Sequence, residues 1–98
     1  MNKAEYQLID ARFRNIFNSH AAQLSKEGRE NVEHFIEVAE VEMACESFIL
    51  SVAEERIQLP GDAKKELLDL AIALHLDKQS VFRADFWQMA GPMLSGTD

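Results

Sequence analysis

The chain is poor in the residues that punctuate or cross-link a fold. Of its 98 residues one is cysteine, two are proline and four are glycine. A lone Cys45 cannot close a disulfide within the chain, which fits a reducing compartment. So few Gly and Pro argue against long loops and many tight β-turns. No window approaches the ~20 apolar residues of a transmembrane helix. The N-terminus, Met1-Asn2-Lys3-Ala4-Glu5, carries charges with no apolar stretch behind it, so no secretory signal and a cytoplasmic location are expected. Basic residues are also scarce. Ten Lys plus Arg stand against 17 Asp plus Glu, a formal net charge of −7. Phosphate binding needs clustered Lys and Arg, so direct nucleic-acid binding is excluded, as is a polybasic membrane anchor.

What is present is an ordinary core composition. Hydrophobic residues make up 47% of the chain, too many for a disordered acidic tail, and six Phe, one Trp and one Tyr supply bulk. At this length one domain is the default. Tyr6, Ile9, Phe13, Ile16, Phe17 and Leu24 recur at spacings of three and four and predict a first helix over residues 3–24. Ser25 is a plausible N-cap for a second, which carries Val32, Phe35, Ile36, Ala39 and Met43 at helical spacing. Around Val38 to Val41 the pattern allows either a tight turn or an unbroken helix, because no Gly or Pro marks a break. From Val41 to Arg56 one stripe is Val41, Cys45, Phe48, Ile49 and Val52, while Met43 and Leu50 lie on nearly the opposite side. A helix apolar on two sides is expected at the centre of a bundle.

Pro60-Gly61-Asp62 is the clearest punctuation. Asp62 is expected to cap a helix from Ala63 to His75 or Leu76, with Leu67, Leu68, Leu70, Ala71 and Leu74 inward. Asp77 or Ser80 then caps a short last helix with Val81, Phe82, Phe86 and Trp87, stopped by Gly91-Pro92. No strand pair is evident. The expectation is an all-α compact bundle of four to five helices, a single domain over residues 1–94, with a mobile tail over 95–98.

Catalytic and metal chemistry find no support in the pattern. The three histidines are isolated, and His20 and His75 lie beside apolar faces. His34 has Glu30 and Glu37 one turn away, yet a di-iron bundle needs two Glu-x-x-His motifs, and Asn31 stands three before His34. Cys45 lies on the apolar stripe, and Glu42 and Glu46 beside it would raise its pKa. No Gly-x-Ser-x-Gly elbow and no Gly-rich phosphate loop is present. A non-enzymatic protein with no metal and no cofactor is expected.

One constellation remains. From Glu27 to Glu55 there are nine acids and one base, Arg29, a local charge of −8, and the rest of the chain sums to +1. Glu30, Glu33, Glu37 and Glu40 follow spacings of 3, 4 and 3, a continuous acidic row beside the apolar stripe. Like charges one turn apart cost about 0.2–0.5 kcal/mol per pair. Such a row is either a solvated face or an electrostatic footprint for a basic partner, where complementarity raises on-rate and specificity. On the second reading Glu30, Glu33, Glu37 and Glu40 are the contact residues, followed by Glu42 and Glu46. Trp87 is either an interface anchor or packing for the last helix.

The stretch from Leu24 to Leu76 resembles a family of small, all-helical bacterial immunity proteins, the Maf-type immunity proteins and their relatives in contact-dependent growth inhibition. The resemblance is carried by Leu24-Ser25, Val32, Phe35-Ile36, Glu40, Ala44-Cys45-Glu46, Leu50, Ile57-x-Leu59, Leu70-Ala71 and Leu76. A Gly often precedes the mid-chain Glu in these proteins, and here the residue is Ala39. The resemblance implies a non-enzymatic antitoxin that binds a cognate toxin domain and neutralises it. Many such toxins are nucleases, often acting on tRNA, whose positive clefts suit an acidic row. Two other readings fit the same residues. One is an acidic protein that mimics nucleic acid, and the other is a homodimeric adaptor whose two-sided central helix completes a shared core.

Overall fold

Helix signals at the sequence level translate directly into five α-helices in the computed structural model, which describes residues 1–96. They are α1 (Lys3–His20), α2 (Lys26–Glu37), α3 (Val41–Glu54), α4 (Gly61–Ala73) and α5 (Phe86–Ser95), with one turn of 3₁₀ helix, Ala21–Gln23, after α1. Among the described residues there is no strand, and the architecture is an all-α bundle. Asn2 caps α1 by accepting from the Glu5 N–H at 2.8 Å, and Ser25 caps α2 by accepting from the Gly28 N–H at 3.1 Å.

One core runs from Ile9 to Leu94 and draws on all five helices. The radius of gyration, 12.2 Å, is near the roughly 13 Å of a folded domain this long. Helix α3 is the centre, packing against each of the other four. That is the placement its two apolar sides require. Phe48 presents its ring to Phe13 and Phe17 of α1, with centroids 5.9 Å away in both cases and interplanar angles of 79° and 86°.

Helices α2 and α3 form an antiparallel hairpin, fixed at both ends. At the open end the Glu55 carboxylate accepts from the Ser25 N–H at 2.7 Å and from its hydroxyl at 2.8 Å. The approach is so close that a Cβ on Gly28 would lie 2.6 Å from Glu55 Oε2. At the other end the chain breaks, settling the alternative around Val38–Val41. Ala39 takes φ 59°, Glu40 N–H donates to the Phe35 carbonyl at 2.9 Å, and Ala39 N–H to that of Ile36 at 3.1 Å. This is the Schellman pattern of helix ends. The same pair of bonds ends α3 around Arg56 (φ 55°) and α4 around His75 (φ 62°).

Each of these left-handed positions holds a residue with a Cβ, which costs roughly 1 kcal/mol where glycine would cost little. Ala39→Gly is therefore expected to raise stability by about 0.5–1 kcal/mol, seen as a higher urea midpoint at unchanged m-value.

Several boundaries differ from expectation. Helix α4 starts at Gly61, with Pro60 as N-cap, and Asp62 lies inside the first turn with its Oδ1 on the Ala63 N–H. It ends at Ala73, because the Schellman turn reverses the chain at His75, which is exposed. The last helix begins at Phe86, so Val81 and Phe82 lie in a non-helical bend. Gly91-Pro92 does not stop it. Pro92 is exposed, so the Gln88 carbonyl that loses its intrahelical donor can turn to water. Gly91 leaves room for the Trp87 indole, whose Nε1 would stand 3.0 Å from an added Cβ. Ser95, expected in the tail, closes α5 with its hydroxyl on the Gly91 carbonyl, and Gly96 follows as C-cap. The rest of the expected tail, Thr97 and Asp98, lies outside the described residues. Among the described residues no helix is long and apolar enough to cross a membrane.

Candidate protein-binding surface

The acidic residues from 27 to 55 separate into two groups once the hairpin is built. Val32 of α2 is wholly buried against the core, which turns Glu30, Glu33 and Glu37 to the opposite, exposed side of the helix. Glu30 and Glu37 are about 10 Å apart along the axis. Glu40, exposed in the break, continues the row as the residue preceding α3 and makes no capping bond with its side chain. Among the described residues none of these four carboxylates has a hydrogen bond or an ion pair. Glu37 also sits in the last turn of α2, where the helix dipole disfavours an anion. The row thus opposes local helix stability twice, through like-charge spacing and through the dipole.

Of the other five acids, Glu42, Glu46 and Glu55 are engaged inside the molecule, while Glu27 and Glu54 stay exposed. Glu42 is half-buried and accepts the Tyr6 hydroxyl hydrogen bond at 2.6 Å, at one wall of a cleft of about 370 Å³ with His75 and Ser80. Glu55 ties the hairpin, as described. Glu46 is wholly buried, and this corrects its expected place among the contact residues. Its Oε1 accepts from the Val81 N–H at 2.8 Å, and its Oε2 accepts from the Phe82 N–H at 2.8 Å and the Ser80 hydroxyl at 2.9 Å. The carboxylate supplies the acceptors that the bend between α4 and α5 lacks, a requirement of any buried backbone N–H. The sequence did hold a signal. Glu46 stands three residues after Met43 and four before Leu50, inside the second apolar side of α3.

Tyr6 shows how the Glu42 contact acts. Partial burial, then the hydrogen bond and negative charge of Glu42, raise its phenol pKa from 10.0 to about 12. A raised folded-state pKa favours the protonated phenol. Its contribution to stability is complete below pH 10 and is lost as pH rises through about 12. The chain has one tyrosine. Its tyrosinate absorbance is therefore expected to titrate near pH 12 in the native protein, and Glu42→Gln to bring that midpoint back toward 10. An unchanged midpoint in the variant would remove Glu42 as a cause.

Cys45 is wholly buried, and desolvation, with the Glu46 charge second, pushes its thiol pKa up, away from nucleophilic use. Among the described residues no three His, Cys, Asp or Glu side chains gather as a metal site. Trp87 is half-buried and packs on the core through α5.

A second feature lies on another side of α2. Between α2 and α3 runs a groove of about 350 Å³, lined by Asn31, Phe35, Ser47, Leu50, Ser51, Glu54 and Phe82. The Phe82 ring stands 5.5 Å from that of Phe35, which is 5.3 Å from the His34 ring. Phe82 is 44% exposed and Val81 42%. The spacing placed both in the last helix, and this apolar patch was not foreseen. Beside it, two hydrogen bonds join Arg83 to Asp85, at 3.0 and 2.9 Å, lowering the carboxyl pKa and raising that of the guanidinium.

Fold and surface together define an all-α bundle with an acidic helix face that is unpaired among the described residues, and an apolar groove on another side of the same helix. Set against known protein families, curated proteins and solved structures, the chain gives no match.

Proposed function

We propose that this chain is an immunity protein: it binds a basic toxin domain, a nuclease of a contact-dependent or related toxin system, and neutralises it by stoichiometric occlusion rather than by catalysis. The observation that carries the reading is the row Glu30, Glu33, Glu37 and Glu40, four exposed carboxylates with no partner among the described residues. A nuclease cleft is positive because it binds phosphate, and a row of carboxylates at helical spacing complements it. The resemblance of residues 24–76 to Maf-type immunity proteins supports the same class.

The test uses the C-terminal domain encoded by the gene directly upstream. The two proteins are expected to co-purify as a 1:1 complex without toxicity. The double variant Glu33→Lys, Glu37→Lys is expected to bind that domain roughly thirty- to hundredfold more weakly at low salt, with unchanged helix content. The difference should shrink as salt rises. Unchanged affinity takes the row out of the interface, and absence of any complex with the wild type overturns the class.

A further inference from the structure

The bend at 80–85 is held unusually firmly for a segment that displays apolar side chains. Ser80 donates to the buried Glu46 and accepts from the Arg83 N–H at 2.9 Å, while Val81 and Phe82 donate their N–H groups to the same carboxylate. Burying a carboxylate is costly, and three donors are needed to offset it. Yet the result leaves Val81 and Phe82 close to half exposed to water. Folding alone gains little from an aromatic ring so placed. Pre-organised apolar groups at a surface gain their value on binding, because the cost of ordering them is met in advance.

The charge around the groove selects the occupant. Glu54 lines it directly, and Glu27 stands one helical turn from Asn31. The nearby cation, Arg83, is joined to Asp85, and Glu54 lies close enough to add a weaker charge interaction with it. Phe35 and the acidic row belong to the same helix, with Glu27 and His34 between them around its circumference.

We infer that the groove between α2 and α3, walled by Phe35, Leu50 and Phe82, is the energetic centre of the toxin-binding surface and receives an apolar side chain of the basic partner, with an adjoining Lys or Arg on Glu54. This rests on the immunity reading and deepens it. The acidic row steers the encounter, and the groove holds the complex. Hot spots have this form, a desolvated aromatic pocket inside a charged rim.

The experiment measures affinity for the same upstream-encoded C-terminal domain at low and high salt. Phe82→Ala is expected to weaken binding at least about thirtyfold, equally at both salt concentrations, because the lost contact is apolar. Glu54→Gln is expected to weaken it several-fold, mostly at low salt. Asn31→Arg leaves every apolar side chain in place and adds a like charge at the rim. It is expected to weaken binding about tenfold and keeps the test valid should Phe82→Ala perturb the fold. If the wild type binds and both Phe82→Ala and Asn31→Arg bind as well as it does, the groove is overturned while the immunity reading stands. If the wild type does not bind, the immunity reading fails and the groove assignment falls with it.

Discussion

Glu46→Ala is expected to lower the unfolding free energy by about 3–5 kcal/mol, a large part of the roughly 5–15 kcal/mol of a small domain. The cause is not the loss of a favourable charge. Truncation leaves the N–H groups of Val81 and Phe82 and the Ser80 hydroxyl without the acceptor they now share. An unsatisfied buried donor costs about 1–3 kcal/mol. A cavity the size of the lost side chain adds to this, since Glu46 is fully enclosed.

Glu46→Gln separates the two causes. The amide keeps the volume and one carbonyl oxygen but turns the other acceptor into a donor. With the oxygen at the Oε2 position it still serves Ser80 and Phe82, and only the Val81 N–H loses its acceptor. The expected loss is therefore smaller, about 1–3 kcal/mol. Urea unfolding measures both losses, and amide hydrogen exchange at Val81 and Phe82 should accelerate before the rest of the molecule opens. Equal stability for wild type and Glu46→Ala would mean that the bend finds its acceptors elsewhere.

Phe48→Ala is the second large effect, about 3–5 kcal/mol. Phe48 is wholly buried on the central helix and meets Phe13 and Phe17 edge-on. Each such aromatic pair contributes about 0.5–1.5 kcal/mol beyond area burial. Losing the ring uncouples α1 from α3, so the midpoint of thermal unfolding should drop by about 15–30 °C. Phe48→Leu keeps most of the volume and should cost less than about 1.5 kcal/mol. A loss under about 1 kcal/mol for the alanine variant would show that the site refills by collapse.

The two predictions explain why acids so close in sequence carry different duties. Glu46 and Glu42 are four residues apart on α3, and neither is a free surface charge. Glu46 secures the bend that displays Phe82, so the stability of the bundle and the shape of the proposed binding face share one residue. Loss of binding in a Glu46 variant therefore has to be read beside its stability. Phe82→Ala, which touches none of the three Glu46 hydrogen bonds through its side chain, is the cleaner probe.

How much of this was legible in the sequence varies residue by residue. Ser25 read as a cap and is one, because the cap is a local bond between a side chain and the next turn. The central position of α3 was legible from its two apolar sides. The break at Ala39 was not, since alanine favours helix, and only the packing of α3 back on α2 forces that backbone into the left-handed region. Val81 and Phe82 read as helix because their spacing allowed it. The Glu46 carboxylate, 35 and 36 residues away in sequence, took their N–H groups instead.

By itself the sequence determined the all-α class, most helix positions and the concentration of −8 between Glu27 and Glu55, since periodicity and composition are local properties. Tertiary structure decided where that charge stands. Glu30, Glu33, Glu37 and Glu40 face water because Val32 is the residue buried from α2. Glu42, Glu46 and Glu55 are held by Tyr6, the 80–82 bend and Ser25. A carboxylate keeps its charge free or gives it to a hydrogen-bond donor according to which distant groups the fold brings within about 3 Å, and helical spacing does not encode that distance.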